Sequence, residues 1–146
     1  MSPGTRAGFT LLELLVAITI IAILAGVVTP MVFRNVGDAK STAARAQIES
    51  LGLALDTYYL HCGSYPTTGE GLVALQAAPA GGSCPGWRGP YLQRGVPNDP
   101  WRRPYLYASP GTNHPESYDL STLGTDGAPG GLGEAADVTS WSDSAP

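Results

Sequence analysis

Charge is scarce in this chain. Only 14% of its 146 residues are Asp, Glu, Lys or Arg, low for a freely soluble domain. Basic residues stop at residue 103: residues 1–103 carry eight Lys/Arg and six Asp/Glu (+2), whereas residues 104–146 carry six acids and no Lys or Arg (−6). With a net charge of −4 and a pI near 4.9, a nucleic-acid-binding surface is excluded. Cysteine is limited to Cys62 and Cys84, whose spacing lacks the C-x-x-C form of a two-thiol redox site. Histidine is limited to His61 and His114, which stand at no metal or catalytic spacing and read as incidental. No Ser/His/Asp, Cys/His or carboxylate pair has supporting context, so an enzyme is not expected. What is abundant is apolar: 43% of residues are hydrophobic and the mean hydropathy is +0.01, too high for a disordered chain. Gly and Pro together make 32 residues, most of them after residue 60. The sequence joins a hydrophobic, helix-forming front to a turn-rich, acidic back.

Residues 14–33, LLVAITIIAILAGVVTPMVF, contain no charge. As a helix rising about 1.5 Å per residue they would span the ~30 Å hydrocarbon core of a bilayer. A cleavable secretory signal is disfavoured: only Arg6 precedes the run, the run is too long, and no A-x-A site closes it. A plain membrane anchor explains the length. It does not explain Glu13 at the start of the run, an acid that is either solvated at the interface or a functional intramembrane carboxylate. Nor does it explain Pro30, one turn after Gly26, which removes a helical hydrogen bond and loosens the helix.

Gly8-Phe9-Thr10-Leu11-Leu12-Glu13 resembles the processing site of the type IV pilin and pseudopilin superfamily. The resemblance implies cleavage by a prepilin peptidase between Gly8 and Phe9 and methylation of the new terminal amine of Phe9. Glu13 and Pro30 then stand at positions where the family carries these residue types. Cleavage leaves a positive amine at the edge of an apolar helix, and in a core of packed helices a neighbour's Glu13 can meet it. Such a buried pair adds little net stability, but an unpaired charge penalises a wrong stagger. Glu13 is therefore expected to act in assembly.

Beyond residue 33 the sequence turns amphipathic. Ile48, Leu51, Leu55 and Tyr58 share one helical face, with Lys40, Arg45, Glu49 and Asp56 largely elsewhere. Gly37 and Gly52 are expected to weaken the helix locally, and His61-Cys62-Gly63-Ser64-Tyr65-Pro66 to end it. One helix over residues 9–61, ~80 Å long, is expected. Residues 72–76 read as a short helix and residues 78–103 as a proline-rich loop. Tyr105-Leu106-Tyr107 and Tyr118-Asp119-Leu120 read as antiparallel strands, with a third short strand from Val138 to Trp141. Their sheet must lean on the amphipathic part of the helix. Trp87, Trp101 and Trp141 are expected to lie under loops.

If the domain is exported, Cys62 and Cys84 are expected to form a disulfide tying the helix end to the long loop. Residues 123–137 form a glycine-rich acidic loop containing Asp126, Glu134 and Asp137. Such a loop can turn carbonyls and carboxylates onto Ca²⁺, although the spacing is not that of an EF-hand and a plain Asp-Gly turn is the commoner explanation.

Tyr65-Pro66-Thr67-Thr68, Gly71-Leu72-x-Ala74-Leu75, Gly89-Pro90-Tyr91-Leu92, Asp99-Pro100-Trp101, Pro104-Tyr105, Tyr118-Asp119-Leu120, Leu123-Gly124-x-Asp126-Gly127 and Asp137-Val138 occur in that order. Together they resemble the family of major pseudopilins of type II secretion, the general secretion pathway protein G family, from Gly8 to about Trp141. The resemblance implies an α+β, type IV pilin-like fold: one long N-terminal helix packed against a small antiparallel sheet with long loops. It implies one structural Ca²⁺, with side-chain oxygens from Asp126 and Asp137 and carbonyls from Leu123 and Ala128. Glu134 lies where the loop between the aspartates varies in the family. The two cysteines and the tail after Trp141 depart from the family's common pattern.

The expected organisation is a leader over residues 1–8, a transmembrane and filament-core helix over 9–33, and a periplasmic domain over 34–146. That domain divides into an amphipathic helix (34–61) and a loop-rich sheet (62–146). The expected function is a structural subunit, held in the inner membrane until an assembly platform lifts it into a helical filament of like copies. Growth of that filament pushes folded exoproteins outward. Prepilin peptidase, the platform and minor pseudopilins are the further partners implied. The alternatives are a type IV pilin forming surface fibres and a calcium-binding periplasmic module on an uncleaved anchor.

Overall fold

The structure, a computed structural model, describes residues 8–142, with the side chains of residues 27–35 left outside that description. Helix α1 runs over Leu11–Cys62, followed by a 3-10 turn at Leu72–Leu75. Strands β1 (Leu106–Ala108), β2 (Asp119–Thr122) and β3 (Val138–Thr139) come next, with a second 3-10 turn, Gly133–Ala135, before β3. Contacts divide the chain into two units, Met1–Val36 and Gly37–Pro146.

In the first unit, α1 begins because Thr10 caps it. The Thr10 Oγ1 accepts the Glu13 backbone N–H at 3.2 Å, and the Thr10 carbonyl accepts the Leu14 N–H. Thr-x-x-Glu is the pattern that satisfies the free amides of a first turn, and Glu13 favours the positive end of the helix dipole. Every large apolar side chain over residues 9–24 is exposed, on all sides of the helix. A helix apolar all round needs a covering, which the described residues of this unit do not supply. Among the described residues no helix is long and apolar enough to cross a membrane. Residues 11–26 alone rise about 24 Å against a core of ~30 Å.

In the second unit, Ile48, Leu51, Leu55 and Tyr58 are all buried, together with Ala44 and Ala54. They face Leu72, Leu75, Tyr105, Leu120 and Val138 in one cluster. The helix stripe and the sheet each supply half of a core neither could close alone. The sheet is antiparallel with β2 central: Tyr107 pairs with Leu120, and Thr122 with Val138. All four residues of β2 are buried. The expected helix at residues 72–76 is a 3-10 turn, since Gly71 at positive φ precedes it and only four residues follow.

Two glycines expected to weaken α1 instead make room. Gly52 is buried, and a Cβ there would stand 2.9 Å from the Tyr118 hydroxyl. A Cβ at Gly37 would overlap the Glu134 carboxyl group. Helix propensity is given up where the loop side must come close.

Tyrosines stitch the sheet to the helix. Tyr65 donates to Asp56 Oδ1 at 2.9 Å, Tyr107 donates to the Pro66 carbonyl at 2.7 Å, and Tyr105 donates to Gln47 Oε1. The Tyr118 ring lies edge-on to Tyr65 and stacks on Tyr107. Burial, helped by the nearby Asp56, pushes the Tyr118 hydroxyl up to about 12. His114, read as incidental, lies beside a buried acid: its Nδ1 is 3.6 Å from Asp119 Oδ1. Burial opposes ionisation of Asp119, but amides from the Thr112-Asn113-His114 turn and the Asn113 side chain outweigh it, and its pKa is lowered.

Candidate functional site

Three features carry the functional reading: the start of α1, the disulfide, and the loop between β2 and β3. At the start, Gly8 and Phe9 precede the first helical residue, Phe9 is 82% exposed, and a Cβ at Gly8 would meet nothing. The Gly8–Phe9 bond therefore lies exposed and outside regular structure. Glu13 sits exposed in the first turn, five residues after Gly8. Residues 1–7 of the expected leader fall outside the described residues. The backbone is helical at Pro30, and its side chain falls outside them as well. The sequence reading missed Thr10, although the Thr-x-x-Glu capping pattern was visible there.

A disulfide joins Cys62, the last residue of α1, to Cys84, with Cα atoms 4.9 Å apart. The loop crosses close over the helix end: a Cβ at Gly86 would run into the His61 carbonyl. Trp87 lies under this loop, its indole N–H donating to the Ala74 carbonyl at 3.0 Å. His61 also has a role there, as its Nδ1 is 3.0 Å from the Tyr91 hydroxyl.

The β2–β3 loop is pinned by its own backbone. The Leu123 carbonyl accepts the Gly127 N–H at 3.0 Å, and the Thr125 N–H donates to the Glu134 carbonyl at 3.0 Å. Gly124, at φ 55°, lets the Ala135 and Ala136 carbonyls approach: a Cβ there would stand 2.7 Å from both oxygens. Asp126 Oδ1 accepts the Ala128 N–H at 3.1 Å, and Asp137 Oδ2 accepts the Gly130 N–H at 2.8 Å. The other Asp137 oxygen, Oδ1, is buried with no hydrogen-bond partner among the described residues. A buried carboxylate oxygen left empty is costly unless a cation or donor meets it.

Glu134 does not join the aspartates. The 3-10 turn at Gly133–Ala135 carries its carboxyl against Gly37 of α1. Among the described residues no three His, Cys, Asp or Glu side chains gather as a metal-holding group. A cation here would take two carboxylates, from Asp126 and Asp137, with backbone carbonyls of Leu123 and Ala128 for the rest. Hard Ca²⁺ accepts such an oxygen set, and the unpaired Asp137 Oδ1 fits it.

Beneath the loop lies a carboxylate whose role the sequence reading did not see. Buried Asp99 accepts the Trp101 N–H at 3.0 Å, the Arg103 N–H at 2.7 Å and the Thr122 hydroxyl, so it ties the 99–103 turn to β2. Asp-Pro at a turn was the available signal, but its partner on β2 is remote in sequence.

Comparison with known proteins follows these features along the chain. A family model described as type II secretion system protein G matches residues 31–141, and one described as the prokaryotic N-terminal methylation motif matches residues 4–29. The type II secretion system core protein G of Pseudomonas aeruginosa is 40% identical over 142 residues, covering 97% of this chain and 99% of its own. That of Vibrio cholerae is 42% identical over 137 residues, covering 93% and 92%. A crystal structure of the major pseudopilin from the type 2 secretion system of enterohaemorrhagic Escherichia coli superposes with a TM-score of 0.61 at 30% identity, over 73% of this chain and 90% of that one.

Proposed function

From the premise that this chain belongs to the type II secretion system protein G family, and is a structural pseudopilin subunit and not an enzyme, we propose how its parts serve assembly. The methylation-motif match over residues 4–29 carries the reading, together with an exposed Gly8–Phe9 bond ahead of a capped helix. Prepilin peptidase cuts that bond, and the freed Phe9 amine is methylated. The apolar part of α1 first sits in the inner membrane, with the remainder in the periplasm. An assembly platform then lifts the subunit into a helical filament, in which copies of α1 cover one another's exposed apolar surface. Glu13 sets the stagger by meeting a neighbour's Phe9 amine, because a misplaced copy would leave both charges buried and unpaired. Pro30, inside the helix, loosens α1 as it moves from bilayer to filament. Minor pseudopilins share the filament, whose growth pushes folded exoproteins across the outer membrane. The secretion-system match favours this over a surface fibre.

Ca²⁺ completes the β2–β3 loop through Asp126, Asp137, Leu123 and Ala128. It stabilises the folded form by mass action, as any ligand of the native state does. The test is on the full chain in detergent. Intact mass and N-terminal sequencing of mature protein are expected to show Phe9 first and methylated; an intact Met1 would refute the processing. Chelation is expected to lower the melting temperature, and D126A to abolish that difference. Unchanged melting on chelation would end the calcium reading while leaving the filament reading standing.

A further inference from the structure

We propose that Arg103 is the positioning residue of the cation loop. Its guanidinium, anchored by Asp99, holds the 123–127 turn in the shape that presents the Leu123 carbonyl and Asp126 to Ca²⁺. The proposal rests on the calcium reading above.

Arg103 is fixed through its backbone from both sides. Its N–H donates to Asp99 Oδ1, and its carbonyl accepts the Asp99 N–H at 2.8 Å. The same carboxylate takes the hydroxyl of Thr122, the residue immediately before Leu123. The Arg103 Nε lies 3.6 Å from Asp99 Oδ2. Its Nη1 occupies the space that a side chain at residue 127 would need, and Gly127 at φ 70° has none. Gly127 is the hinge of the site: its N–H closes the turn onto the Leu123 carbonyl, with Asp126 on one side and Ala128 on the other.

The side chain is held there at a cost. Nε and Nη2 are buried with no hydrogen-bond partner among the described residues. An arginine at the edge of a domain ordinarily swings its head into water to satisfy those donors. Here Nη1 instead fills the space beside Gly127, and the guanidinium carbon lies 6.0 Å from the centre of the Trp101 ring. A turn already shaped before the ion arrives spares the ion the ordering of it, which is how supporting groups raise metal affinity. Lysine, a point charge on a flexible stem, cannot supply the same flat contact.

The experiment is calcium titration by calorimetry on the full chain in detergent, with calcium-free melting measured alongside, for wild type, R103K and R103M. R103M is expected to bind calcium about tenfold more weakly, the low end of the range seen when groups supporting a metal site are removed, and R103K, which keeps the charge, about threefold. Calcium-free melting is expected to move little in R103K, which keeps the charge and the stem and so serves if R103M does not fold. Wild-type affinity in R103K overturns the proposal. So does tighter binding by R103M, which would make the guanidinium a competing charge. A lowered calcium-free melting temperature with unchanged affinity also overturns it, since that is all a merely structural role would produce. If the wild type itself binds no calcium, the calcium reading has failed, an outcome distinct from a failed Arg103 alone.

Discussion

Removing the Cys62–Cys84 bond is the perturbation whose size the structure sets most directly. The two residues are 22 apart in sequence, and the bond closes that loop in the unfolded chain as well as the folded one. For a loop of this length the chain-entropy relation gives about 11 cal/mol/K, or ~3.4 kcal/mol at 25 °C. Residues 37–146 unfold with an entropy of about 230 cal/mol/K at typical per-residue values, so the melting temperature is expected to fall by about 15 °C. The damage should be local at first. The loop lies over the end of α1, and the Trp87 backbone N–H donates to the Cys84 carbonyl at 3.2 Å, so releasing Cys84 frees Trp87 and uncovers its indole before the sheet opens. The assay is thermal melting of the full chain in detergent for wild type and C62S/C84S, by far-UV circular dichroism and tryptophan fluorescence. The double variant is chosen because either single one leaves a reactive thiol. A fall of less than about 4 °C, roughly 1 kcal/mol, would refute the reasoning: the loop would then be held by Trp87, Tyr91 and their neighbours alone.

Two further outcomes follow from particular residues. Arg102 sits at φ 70° with an exposed side chain, a left-handed conformation that costs a non-glycine residue about 1 kcal/mol. After allowing for the greater freedom of glycine in the unfolded chain, R102G is expected to raise stability by about 0.5 kcal/mol, and R102V to lower it by at least ~1 kcal/mol; a less stable R102G contradicts this. Burial pushes Tyr105 and Tyr118 up to about 12 and also raises Tyr107. The folded chain thus keeps protons that the unfolded chain releases near pH 10. Stability is expected to be intact below pH 10 and to erode between pH 10 and 12. Y118F should flatten that slope, read by denaturant melts at each pH and by tyrosinate absorbance.

Much of this molecule is legible in its sequence. The apolar run, the Gly8-Phe9…Glu13 spacing and the stripe Ile48-Leu51-Leu55-Tyr58 are patterns within one helix, where residues three or four apart share a face whatever the rest of the chain does. The three strands followed from alternation between turn residues, and the shared sheet from the need to cover that one stripe. These signals are local, so they survive without knowledge of the fold.

What stayed hidden depends on partners far apart in sequence. Gly37 and Gly52 looked like helix weaknesses because propensity counts only neighbours along the chain, whereas Glu134 and Tyr118 arrive from loops about 100 and 66 residues away. Glu134 looked like a third acid for the cation loop, since composition cannot tell which way a short 3-10 turn aims a side chain. Asp99 and Arg103 read as a turn and a charge, and only the fold brings them under Thr122 and Gly127. The sequence by itself determined the subunit's class and the elements it folds into, because hydrophobic periodicity and an N-terminal methylation motif are written in consecutive residues. The tertiary structure alone decided which polar groups are buried and left without partners, because burial is a property of packing and not of order along the chain.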